Sequence, residues 1–264
     1  MTIIPSVSPP LPTRNRWVRS LTSSDPLKWL SQGWRDLTTE PAMSIVYGLL
    51  IFVISAAFVG VLVRSGRDYI LFPAFAGFMV VGPILAIGLY EKSRRLEEGL
   101  PLRWANIFLV KPRSGGQVLF TGVLLCLLMM VWMRAAVIIY ALFFGLVPFP
   151  GLDHIATMLF TTDVGLAMLV VGTAVGGLFA AFSFAISVFS IPMLLNESID
   201  ALTAMGSSMA LVWNNLRVLL IWAAIVLALF LVSLATCMLG LIVIYPLLGH
   251  ATWHAYRAVR PEAG

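Results

Sequence analysis

The sequence predicts an all-α, polytopic helical membrane protein. Of its 264 residues 60% are hydrophobic and only 11% charged, where a soluble domain carries about 25% charged residues. Several apolar runs exceed the roughly 18 residues that read as a membrane span. None alternates in the short segments of a membrane barrel. The net charge of +5 comes from basic residues beside the apolar runs, where cytoplasmic anchoring explains them better than nucleic acid. The expected partners are the lipid bilayer and a membrane protein, either a second copy or another chain. No cofactor is expected.

Residues 1–40 read as a disordered tail followed by an interfacial helix. Pro5, Pro9, Pro10 and Pro12 sit where a signal peptide needs its apolar core. "DPLKWLSQGWRDLTTE" opens with Asp25 and Pro26, and spaces Leu27, Leu30, Trp34 and Leu37 as an amphipathic helix, with Trp29 and Trp34 at the headgroups. Residues 41–260 read as one transmembrane domain. Its first span is expected over Met43–Val63, and its second over Ile70–Tyr90 after the turn "RSGRDY".

The segment 91–116 holds Lys92, Arg94, Arg95, Arg103, Lys111 and Arg113, the strongest cytoplasmic signal in the chain. The third apolar run, Gln117–Val147, is longer than a span needs. "PFPGLDHIATMLFTTD" is the next loop, without Lys or Arg, and the fourth span covers Gly165–Ile191. "NESIDALTAMGSSMALVWNN" reads as an amphipathic helix at the inner surface. Residues 217–260 would stretch about 65 Å as one helix, against a core of about 30 Å. Either one kinked helix or two joined near Thr236–Gly240 accounts for this. Two return Arg257 and Arg260 to the basic side, so the charge pattern favours six spans with both termini cytoplasmic. Cys126 and Cys237 fall inside apolar runs and form no secreted disulfide framework.

Three blocks, "LFPAFAGFMVVGPILAIGLYEKSRRLEEG" (71–99), "SIPMLLNESIDALTAMGSS" (190–208) and "YPLLGHATWHAYR" (245–257), carry a likeness over residues 40–260. In order and content they resemble the bacterial integral membrane family known as domain of unknown function twenty-one eighty-nine. The resemblance implies an inner-membrane location and supplies no activity, substrate or catalytic residue. Some members are labelled as similar to cytochrome c oxidase subunit I. A haem–copper centre needs more histidine ligands than the three histidines here, so the label says nothing about function.

Few polar positions stand out. His250 and His254 lie at i and i+4 on one helical face. With Trp253, Tyr256 and Arg257 they read as the interfacial anchor of the last helix, and as metal or haem ligands only if further donors join them. Pro246 predicts a kink above His250. Arg134 sits inside the third run. It either snorkels to the outer headgroups from a span ending near residue 137, with a surface helix beyond, or pairs with a buried acid. Glu197, Asp200, Asp153 and Asp163 are the acids available. Gly172, Gly176 and Ala180 follow a small-residue spacing that permits close helix packing. No nucleotide-binding loop or hydrolase motif is present, and Ser207 and Ser208 have no adjacent activating group. The reading is therefore a transporter-like unit, scaffold or partner subunit. The alternatives are a redox protein with histidine ligands or a membrane enzyme acting on lipid.

Overall fold

The structure, a computed structural model, describes residues 15–145 and 151–260. Among them every regular element is helical. Most of the expected tail, residues 1–14, lies outside the described residues, as do residues 146–150.

Helix α1 (Asp25–Thr38) starts where Asp25 accepts bonds from the Thr22 amide and Lys28, with Pro26 fitting the first turn. Of the two tryptophans expected at the headgroups, Trp34 is exposed and Trp29 is not. Trp29 is buried and packs edge-on against Trp222 at 5.9 Å, because α1 lies on the bundle rather than beside it. Glu40, at φ 48°, turns the chain directly into α2 (Pro41–Arg64).

The second expected span is two helices, α3 (Leu71–Leu85) and α4 (Ile87–Glu97). Pro83 removes one helical donor. At the break the hydroxyls of Tyr47 and Tyr245 donate to the carbonyls of Leu85 and Gly82 at 2.7 and 2.8 Å. The residues read as the start of a loop, Glu91 to Glu97, are thus helical. After α5 (Trp104–Phe108), α6 runs unbroken from Gly115 to Phe144, so no separate surface helix begins at Ile138. The stretch read as a loop contains α7 (Leu152–Thr161).

Helices α8 (Asp163–Ser187) and α9 (Ser190–Asn196) replace the fourth span. Ser208, from α10 (Ala201–Asn214), bridges their break by donating to the Ala185 carbonyl and accepting from the Phe189 amide. Helices α11 (Leu216–Ala235) and α12 (Leu241–Val259) divide the last region at Thr236–Gly240. Five segments are long and apolar enough to cross a membrane: Pro41–Arg64, Leu71–Glu97, Gly115–Phe144, Asp163–Asn196 and Leu216–Ala235. Helix α12 is not among them, since its second half carries His250, Thr252, His254, Tyr256 and Arg257.

Helix α12 is the hub. It runs antiparallel to α2, with Ser44 bonded to His250 and Gly48 packed against Ile242 and Pro246. It runs alongside α4 in the same direction, with Leu89 against Gly249, Ser93 on His250 and Glu97 on Trp253. The start of α2 and the ends of α4 and α12 therefore share one face of the molecule. Further bonds bring the starts of α6 and α11 and the end of α9 to it: Arg113 amide to Leu195 carbonyl, Ser114 to the Glu197 carbonyl, and the Arg19 amide to Asn215. Most of the buried core lies toward this face, whereas the apolar window of α6 is only 11% buried.

Candidate functional site

Under α1, at the shared face, polar side chains from four helices meet in the core. Lys92 of α4 is 0% exposed. Its ammonium donates to Ser44 Oγ at 2.8 Å and to the Glu40 carbonyl at 3.1 Å. Ser44 bonds His250 Nε2 at 2.9 Å, and Ser93 bonds His250 Nδ1 at 2.8 Å. Ser93 also acts on the Asp36 carboxyl, whose Oδ2 lies 2.8 Å from His254 Nε2.

Donor counting gives this chain a direction. The lysine ammonium has no lone pair, so Ser44 Oγ accepts from it and offers its own hydrogen to Nε2. Nδ1 of His250 then carries the ring proton. It donates that proton to Ser93 Oγ, 2.8 Å away. Hydrogen-bond donors thus point one way, from the buried ammonium through His250 to Ser93. The Ser93 hydroxyl helps to lower the pKa of the Asp36 carboxyl, whose side chain is 12% exposed beside a His254 side chain at 18%.

The sequence placed His250 and His254 on one face, and the fold gives them different jobs. Serine hydroxyls hold both nitrogens of His250, while His254 faces Asp36 at the rim. Among the described residues no group of three or more His, Cys, Asp or Glu side chains is placed to hold a metal ion. His154 lies on α7, at the end of the bundle remote from this site. Sequence reasoning missed Ser44, Ser93, Asp36 and Lys92. Asp36 and Ser44 belong to no recognisable motif, and Lys92 and Ser93 stand side by side in a charged stretch where Lys92 reads as one more cytoplasmic charge.

Burial alone would raise the Asp36 pKa, but the bonds from His254 and Ser93 outweigh it and hold the carboxyl below the usual carboxylate range. A carboxyl depressed in the fold adds stability that is complete above about pH 4 and lost as pH falls through its lower folded value. The thermal midpoint in detergent should therefore fall more steeply below about pH 4 in the native chain than in Asp36→Asn. Equal slopes would show that Asp36 does not help dock α1.

The other sequence candidates sit elsewhere. Glu197 accepts from Tyr256 at 2.5 Å and pairs with Arg260 at 3.1 Å. Asp200 caps α10 through the Thr203 amide at 2.9 Å. The side chain of Asp153 lies outside the described residues. Arg134 is exposed and makes no ion pair among the described residues. It stands about 28 Å along α6 from Gly115, near the far edge of a core about 30 Å thick. Arg134→Lys and Arg134→Gln should each change stability by less than about 0.5 kcal/mol. A larger loss in chemical unfolding would indicate a buried partner. Of the small residues, Gly176 packs on the Trp132 ring, a Cβ on Gly172 would meet nothing, and Ala180 is exposed.

Residues 71–196 match the family described as predicted integral membrane protein (DUF2189). The match covers the first of the three sequence blocks and the start of the second, and excludes "YPLLGHATWHAYR". No curated protein and no solved structure matches the chain.

Proposed function

With residues 71–196 matching the DUF2189 family of predicted integral membrane proteins, we propose that the chain is a proton-coupled, transporter-like unit of the bacterial inner membrane. Lys92 is its proton carrier, and the chain through His250 is the exit to the cytoplasmic face. The observation that carries this reading is a fully buried lysine hydrogen-bonded through Ser44 to His250 and on to Ser93, next to the Asp36–His254 pair at the rim. Ionisable groups inside membrane bundles are costly and recur in proton pathways.

Release balances proton by proton. Lys92 gives one proton to Ser44 as Ser44 passes its own to Nε2. Nδ1 passes its proton to Ser93, and Ser93 passes one to Asp36. Lys92 ends as a neutral amine and Asp36 as an acid that loses its proton to water. Reloading Lys92 requires the bundle to change shape, because its present partners all face inward.

The topology that goes with this reading has six spans, with α12 as the last. Helix ends sharing a face alternate as six crossings require, and that face carries Lys92, Arg94, Arg95, Arg113, Arg257 and Arg260. By the positive-inside rule it is cytoplasmic. Reporter fusions after Lys111, Asp163, Asn196 and Pro261 should read inside, outside, inside and inside. An outside signal at Pro261 would remove α12 as a span.

The functional test uses proteoliposomes loaded with pyranine under an imposed pH gradient. The native protein should acidify the lumen at least several-fold faster than empty vesicles. Lys92→Met and Ser93→Ala should abolish the excess while remaining folded, with thermal midpoints lowered by no more than several degrees. A native rate equal to that of empty vesicles would reject proton coupling.

A further inference from the structure

Away from the Lys92 chain, α3, α4, α8, α11 and α12 line a partly open cavity of about 180 Å³. Its wall is largely apolar, with Phe78, Phe184 and Phe230 prominent, and none of its lining residues is charged. An apolar cavity of about 150 Å³ in a protein core is large enough to take benzene. Several polar side chains in this wall have no hydrogen-bond partner among the described residues. Ser183 Oγ and Trp222 Nε1 are buried and unsatisfied. Tyr90, only 2% exposed, has no hydrogen bond to its hydroxyl among the described residues. The other lining tyrosine, Tyr245, is satisfied by the Gly82 carbonyl.

An orphaned polar group in a core costs about 1–3 kcal/mol, so several around one cavity call for a common partner. An indole nitrogen only donates, and the two hydroxyls can donate. The missing partner is therefore an acceptor. With no charge in the wall it is neutral, and with apolar walls between spanning helices it arrives through the bilayer. Water alone fits poorly, since each molecule wants two to four polar neighbours and most of this surface offers none.

We infer that the cavity between α3, α4, α8, α11 and α12 binds a neutral, lipid-soluble molecule bearing a carbonyl oxygen. The apolar body fills the space, and the oxygen accepts from Tyr90, with Ser183 and Trp222 as further donors in the same wall. The inference does not depend on the proton-coupled reading, because the cavity and the Lys92 chain share no residue.

The test is calorimetric titration of the full chain in detergent with four probes: 2-undecanone, methyl decanoate, a short-tailed benzoquinone and undecane. At least one carbonyl probe should bind tenfold or more tightly than undecane. Tyr90→Phe should weaken that probe about tenfold, as expected for one lost hydrogen bond, and leave undecane unchanged. Preference for the ester would point to acyl lipid as the natural source, and preference for the quinone to a membrane quinone. Equal binding of undecane and the carbonyl probes, or binding of none, would overturn the inference. So would Tyr90→Phe binding as the native chain does.

Discussion

Asp36→Ala should lower stability by about 3–5 kcal/mol, the cost of leaving a buried charge without its counter-charge. The charge left behind is Lys92, which is wholly enclosed, bonds the Ser44 hydroxyl and the Glu40 carbonyl, and senses Asp36 through charge without touching it. Lys92→Met should cost much less, about 1–2 kcal/mol, because Asp36 retains His254 and a partly open position. The double variant should then be more stable than Asp36→Ala alone. Chemical unfolding in detergent gives the cycle, with a coupling of at least about 1 kcal/mol expected between linked groups. Strict additivity would mean that the two charges do not sense each other through Ser44, His250 and Ser93.

Gly48→Leu should prevent stable folding, and Gly48→Ala should cost about 1–3 kcal/mol as an overpacked contact. At Gly48 the helices α2 and α12 touch backbone to backbone. A Cβ there would collide with the Ile242 carbonyl oxygen, stand 2.8 Å from its carbon, and meet Pro246 Cγ at 2.9 Å. That carbonyl has no helical donor because position 246 is proline, so it projects toward α2. Neither neighbour can swing aside as a flexible side chain would. Gly172→Ala is the matched control: its Cβ meets nothing within 4 Å, and the substitution favours the helix by up to about 1 kcal/mol. If Gly48→Ala proves as stable as Gly172→Ala, α2 and α12 are not packed as described.

These two cases mark what was legible in the sequence. Long apolar runs and the basic segment located the spans, since bilayer thickness and burial cost act on local composition. The division near Thr236–Gly240 was one of two readings that length allowed, and the charge pattern favoured it over a single kinked helix. The breaks at Ala86 and Val188–Phe189 were not, as they are stabilised by Tyr47, Tyr245 and Ser208, all distant in sequence. Gly172 and Gly176 had the recognisable spacing, yet the closest contacts to α12 fall at Gly33 and Gly48, which follow no pattern. Lys92 looked like an anchor because its neighbours are charged. Its burial follows from α4 continuing as a helix through Glu97, which turns Arg94 and Arg95 onto Glu91 and directs Lys92 inward. His250 and His254 were visible as a pair, but their partners come from α1, α2 and α4, one residue at a time.

The direction of the hydrogen-bond chain is the central claim, and the ring of His250 reports it. Histidine labelled with ¹⁵N, observed by magnetic resonance with the protein in bilayers, distinguishes the two ring nitrogens by which one holds the proton. The account requires a His250 proton on Nδ1 and a bare Nε2 accepting from Ser44, with the Nδ1 signal shifting in Ser93→Ala and the Nε2 signal in Ser44→Ala. A proton on Nε2 with Nδ1 bare, unchanged in both variants, would contradict it.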